Sequence, residues 1–124
     1  MNEKRPINLQ LNTIKFPIPA IVSILHRLSG VGLFLFVPFL LWLLNNSLQS
    51  PLSFYLIKDY INSFFVKFLL WLVLTGLFYH IVAGVRHLLM DMGVSHSLQA
   101  ARLTAKCVLV IGILGSISIG VWLW

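Results

Sequence analysis

The sequence predicts an all-α integral membrane protein of three transmembrane helices, with the N-terminus cytoplasmic and the C-terminus periplasmic. Three observations carry this. Of 124 residues, 59% are hydrophobic and 10% charged, where soluble domains carry about 25% charged residues. Three apolar runs each reach the roughly 20 residues that a helix needs to cross a bilayer core. Nine Lys and Arg stand against three Asp and Glu, and the cations sit at the ends of the apolar runs, where they meet headgroups and set topology. So few charges do not cover a water-facing surface, so lipid is the main solvent.

Residues 1–20 read as a cytoplasmic N-terminal segment on the membrane surface, because Pro6, Pro17 and Pro19 prevent a continuous helix there. The start of this segment carries Glu3, Lys4, Arg5 and Lys15. No short apolar region with a cleavage site follows, so it does not read as a signal peptide and the first apolar run stays as a helix. Residues 21–124 then form a single membrane domain. Its first helix spans about 21–44, with Pro19 suited to the first turn and Pro38 expected to bend it. It ends at Asn45-Asn46-Ser47. Within the loop 45–63, Ser50 and Pro51 are turn formers, and Tyr55, Lys58, Asp59 and Tyr60 suit the interface. The second helix spans about 64–90, with Gly93 placed to end it. After a short loop the third spans about 103–124, and Trp122 and Trp124 fit the far interfacial belt.

Orientation follows from where the cations fall. Lys4, Arg5, Lys15 and Arg27 flank the start of the first helix, and Arg86, Arg102 and Lys106 lie around the second loop on the same side; the opposite side has Lys58 and Lys67. The richer side is the cytoplasmic one.

Several function classes drop out. One cysteine, Cys107, makes no internal disulfide and does not ligate an iron–sulfur cluster, which takes four. No basic patch is interleaved with aromatics, so no nucleic-acid partner is expected. No dinucleotide fingerprint or paired carboxylate for acid–base work is present.

Ionisable groups within spans are costly, about 2.5–3.5 kcal/mol on insertion scales, so His26, Arg27, His80, Arg86, His87 and Asp91 carry the information. His80 lies about ten residues before the inner end of the second helix, about 15 Å deep. A neutral imidazole there is satisfied by haem iron on one ring nitrogen and a hydrogen bond on the other, or by packing against a backbone carbonyl of a neighbouring helix. His80, Gly84 and His87 share one helical stripe, extended by Gly76; Gly84 leaves it flat for a close helix or a porphyrin. Ser23, Arg27 and Gly30 form a similar stripe on the first helix. Arg27 suits a haem propionate or a quinone head, since its fork matches carboxylates, or it snorkels to headgroups. Arg86 lies about one turn inside the interface, close enough to snorkel, with Asp91 in reach of Arg86 or His87 for a local ion pair or hydrogen bond. His96 reads as a solvated loop residue. His26 and His87 lie at comparable depths and form a possible ligand pair within the chain. By depth, His80 has no equal on the other helices, so a bis-histidine partner for it comes from another chain.

Two stretches, Arg5-Pro6-Ile7 with Leu11, Ile18 and Ser23-Ile24-Leu25-His26-Arg27-Leu28-Ser29, and His80-Ile81-Val82-Ala83-Gly84-Val85-Arg86-His87-Leu88-Leu89-Met90-Asp91-Met92-Gly93, resemble the signatures of the succinate dehydrogenase cytochrome b subunit family, of the proteobacterial type. The resemblance covers nearly the whole chain. It implies that His80 is an axial haem b ligand, the haem being shared with a second membrane anchor subunit. It implies that Ser23 and Arg27 bind ubiquinone, and that His26, Arg27 and His87 neighbour the haem propionates. It further implies partnership with a flavoprotein subunit carrying FAD and an iron–sulfur subunit carrying the clusters, in the bacterial inner membrane with its lipid. On this reading the chain does not oxidise succinate itself. A haem-free structural anchor and a fumarate reductase anchor are the competing readings. A transporter or channel is disfavoured, because the polar residues gather in the inner half of the spans and trace no path across.

Overall fold

The structure is a computed structural model and describes residues 14–94 and 97–124. The segment with Lys4, Arg5, Pro6, Ile7 and Leu11, and the loop residue His96, lie outside the described residues. Four helices follow in order: α1 (Ile18–Ser47), α2 (Pro51–Asn62), α3 (Phe64–Asp91) and α4 (Leu98–Leu123). α1, α3 and α4 are each long and apolar enough to cross a membrane.

α1 begins before the expected residue 21, because Pro19 sits within its first turn, where a missing N–H costs nothing. It runs through Pro38 and past the expected end. Asn46 Nδ2 donates to Trp42 O at 2.8 Å and Ser47 Oγ to Leu44 O at 2.7 Å. These polar side chains therefore satisfy carbonyls of the last turns instead of closing the helix. The loop expected at 45–63 is mostly α2. Ser50 caps it by accepting from Ser53 N at 3.0 Å, and Pro51 takes its first turn, a favoured start. Phe54, Ile57 and Ile61 of α2 line a cleft together with Leu43 and Leu44 of α1.

α3 ends as expected at Gly93, whose φ of 84° is a conformation that only glycine adopts freely. Val94 N donates to Leu89 O and Gly93 N to Met90 O, each at 3.0 Å, the paired closure that satisfies orphan carbonyls at a helix end. α4 starts at Leu98 rather than about 103, because Ser97 caps it by accepting from Ala100 N at 3.1 Å.

α3 is the central helix, packed on α1 and on α4. Val22, Ala83 and Ala105 are fully buried where the three meet, with Val108 beside them. Small residues let backbones approach, which is how helices associate where lipid removes the hydrophobic drive. Along the rest of the α3–α4 seam, glycines receive aromatic rings. A Cβ on Gly112 would stand 3.0 Å from Tyr79, and one on Gly115 would overlap Phe78. Trp71 Nε1 donates to Ser116 O at 3.0 Å, and Thr75 and Ser116 hydroxyls lie 3.3 Å apart. Most other large apolar side chains, such as Phe34 and Leu35, face outward, as lipid or another subunit requires.

Candidate functional site

Three of the residues singled out in the sequence, His26, His80 and His87, converge where α1 meets α3. The His26 ring stacks on His80, with centroids 4.1 Å apart and planes 13° from parallel. It also lies against His87, at 5.0 Å and 48°. Glycine makes this possible on both helices. A Cβ on Gly84 would stand 3.3 Å from His26 Nε2, and one on Gly30 would stand 3.1 Å from His80 Cε1. The flat place at Gly84 thus receives the neighbouring helix's histidine. Gly76 is open, with nothing within 4 Å of a Cβ there.

His80 is held through one ring nitrogen. Its Nδ1 lies 3.1 Å from His26 O and 3.0 Å from Ser29 Oγ, while Ser29 Oγ donates to His26 O at 2.7 Å. A carbonyl only accepts, so Nδ1 carries the proton and faces two acceptors. The tautomer follows from this network, and it leaves Nε2 with a lone pair. Tyr79 Oη adds a second bond from α3 to α1, donating to Val22 O at 3.1 Å, one turn before His26.

The geometry corrects the depth argument. His26 reaches His80, because α1 starts at Ile18 and sets His26 about 12 Å into its helix, close to the roughly 16 Å separating His80 from the end of α3. In this arrangement the two rings are stacked rather than opposed across an ion. Two nitrogens on opposite sides of an ion at about 2 Å stand about 4 Å apart, with ring centroids further still, about 6 Å. The His26–His80 rings are instead face to face, and the His26–His87 centroids are closer than that. No group of three or more His, Cys, Asp or Glu placed to hold a metal ion occurs among the described residues.

Ser23 is half-buried and Arg27 exposed on the outer side of α1. Neither side chain has a hydrogen-bond partner among the described residues. A hydroxyl and a guanidinium one turn apart are therefore presented outward beside the histidine cluster. Arg86 turns inward. It is 5% exposed and does not snorkel: Nε donates to Thr104 Oγ1 at 3.2 Å and Nη2 to Ala101 O at 3.1 Å. Asp91 makes no ion pair with Arg86 or His87 among the described residues. Sequence reasoning passed over Ser29 and Tyr79. The signal for Ser29 was its place one turn after His26, on the same face of α1.

The chain matches the family described as succinate dehydrogenase/fumarate reductase transmembrane subunit over residues 1–119. It is similar to the succinate dehydrogenase cytochrome b556 subunit of Coxiella burnetii, with 39% identity over 100% of both chains. It is also similar to that of Rickettsia felis, with 38% identity over 90% of this chain and 86% of the relative. The Paracoccus denitrificans subunit of the same description is 29% identical over 85% and 81%.

Proposed function

Because the chain belongs to the succinate dehydrogenase/fumarate reductase transmembrane subunit family, as a multi-pass membrane cytochrome b subunit of such a complex, we propose that His80 is an axial ligand of a haem b shared with a second membrane anchor subunit. In the same proposal Ser23 and Arg27 bind the ubiquinone that the complex reduces, and His26, Arg27 and His87 neighbour the haem propionates. The observation that carries it is the tether on His80. Ligating histidines characteristically donate the second ring N–H to a carbonyl or similar acceptor, which fixes the tautomer and raises ligand basicity. Nδ1 of His80 has that acceptor in His26 O at 3.1 Å, so Nε2 is the free donor atom. The similar subunits are cytochromes b556, b-type cytochromes by name.

A bound haem b would supply a one-electron carrier near the quinone. The chain's own residues do the rest. Ser29 and His26 O hold the His80 ring in place, and Arg27 offers a fixed cation to the negative charge that develops on a reduced quinone. Ser23, one turn away, offers a hydroxyl to a quinone carbonyl. A second protein nitrogen for the haem would be supplied by another chain, since among the described residues His26 and His80 stack rather than oppose. The flavoprotein with FAD, the iron–sulfur subunit and the second anchor are the partners in this reading. The membrane is the bacterial inner membrane, with the N-terminus cytoplasmic and the C-terminus periplasmic by the distribution of cations.

The test is a reduced-minus-oxidised optical spectrum of the purified complex, wild type beside His80→Ala. Loss or perturbation of a b-type signal with all subunits assembled is expected. An unchanged spectrum overturns the assignment, and no haem signal in the wild type favours the haem-free anchor. For the quinone role, Arg27→Ala is expected to lose quinone reduction while dye-linked succinate oxidation persists; equal loss of both overturns it.

A further inference from the structure

We propose that the cleft between α3 and α4 binds one anionic phospholipid, with its phosphate on Arg86 and an acyl chain lying along the cleft toward Ile111. The observation is a cation sealed into an apolar wall. Arg86 is 5% exposed and lies about 7 Å inside the end of α3. Its two hydrogen bonds, to Thr104 and Ala101, come from Nε and Nη2. A guanidinium has five N–H donors. Nη1 has no acceptor among the described residues, and no carboxylate there lies within ion-pair reach. A charge taken out of water without a counter-ion is expensive, so an anion is the missing partner.

The surroundings select which anion. Arg86 lines a cleft of about 310 Å³, together with Val82, Val85, Leu89, Val108 and Ile111. On α4 the lining runs from Ala100 to Ile111, about 16 Å along the helix. A free phosphate would satisfy Arg86 and leave this apolar length without an occupant; a phospholipid satisfies both. The inner mouth opens at the first turn of α4, where Ser97 caps Ala100 N and the helix dipole is positive. Arg102 and Lys106 follow on the same helix. The cleft lies on the side of α3 opposite to His80, Gly84 and His87, so the inference stands independently of the histidine reading.

The test uses the purified complex. Lipid mass spectrometry of the wild type is expected to show a retained anionic phospholipid, which Ile111→Trp largely removes by filling the acyl path without touching the bonds of Arg86. Phosphatidylglycerol micelles are expected to raise the thermal midpoint of the delipidated wild type by several degrees but not that of Ile111→Trp, and phosphatidylcholine micelles to raise neither. A photo-reactive p-benzoylphenylalanine in place of Cys107, which is exposed and lines the cleft, is expected to cross-link to lipid. Equal lipid retention in both proteins, the same midpoint rise with inorganic phosphate alone, or a cross-link to another subunit overturns the proposal.

Discussion

Replacing Gly30 by alanine tests whether the position of His80 governs the haem site. A Cβ at Gly30 would stand 3.1 Å from His80 Cε1, whereas carbon atoms rest at about 3.5–4.0 Å. The ring must therefore give by a few tenths of an ångström, about 0.4 Å. It is tethered at Nδ1 by His26 O at 3.1 Å and Ser29 Oγ at 3.0 Å. Such a retreat takes these contacts to the limit beyond about 3.5 Å where hydrogen bonding fails, at a cost of about 0.5–1.5 kcal/mol for each bond lost. Gly32 is the matched control. It lies on the same helix with nothing within 4 Å of a Cβ, and Gly→Ala brings the same helix-propensity gain of up to about 1 kcal/mol at both positions. Optical spectra and haem content of the purified complex are the assay. Gly30→Ala is expected to lower haem content or shift the b-type signal, and Gly32→Ala to leave both unchanged. Identical behaviour of the two variants would refute the claim that a tethered His80 ring sets the ligand geometry.

Three further outcomes follow from the same contacts. Ser29→Ala leaves His26 O as the partner of His80 and is expected to cost little stability, about 0.6 kcal/mol by analogy with measured polar contacts in membranes, while raising the haem midpoint potential in a redox titration as ligand basicity falls. Gly115→Ala drives a Cβ into the Phe78 ring; overpacking of this kind costs about 1–3 kcal/mol, to be read as a lower thermal midpoint of the complex. Ser50→Ala removes the cap of α2 and is expected to cost about 1 kcal/mol, seen as faster amide exchange in α2, with quinone reduction unaltered.

The three spans were legible because run length and charge depletion report the solvent directly. Their ends were less so. Ser50-Pro51 reads equally as a turn or as a helix start, and the structure takes the second option, with Ser50 accepting from Ser53 N and Pro51 in the first turn. Ser97 opens α4 five residues ahead of the apolar run, in a stretch whose Gln99 and Arg102 lower its hydropathy. At the site, the stripe of His80, Gly84 and His87 was visible as a period, but not what covers it. That depends on the crossing of α1, which brings His26 over Gly84. Arg86 was the hardest to read. Whether an arginine one turn from the interface snorkels or turns inward is decided by Thr104 and the Ala101 carbonyl on another helix, and no local pattern encodes that.

Adjacent residues on α3 thereby face different neighbours. His87 and His80 turn toward α1, where His26 and Ser29 meet them, while Arg86 turns toward α4. In a bilayer the apolar surfaces of these helices would be as well solvated by lipid as by one another, so polar bonds and close-packed small residues must define the seams. Here Tyr79 to Val22 O and His80 to His26 O join α3 to α1, and Arg86 to Thr104 with Trp71 to Ser116 O joins α3 to α4. The ring that offers Nε2 is thus fixed on a helix pinned on both sides. The stack of His26 on His80 covers one face of the imidazole and leaves its edge, so the Nε2 edge, which no other described histidine opposes, is the part of the ring left to meet a partner.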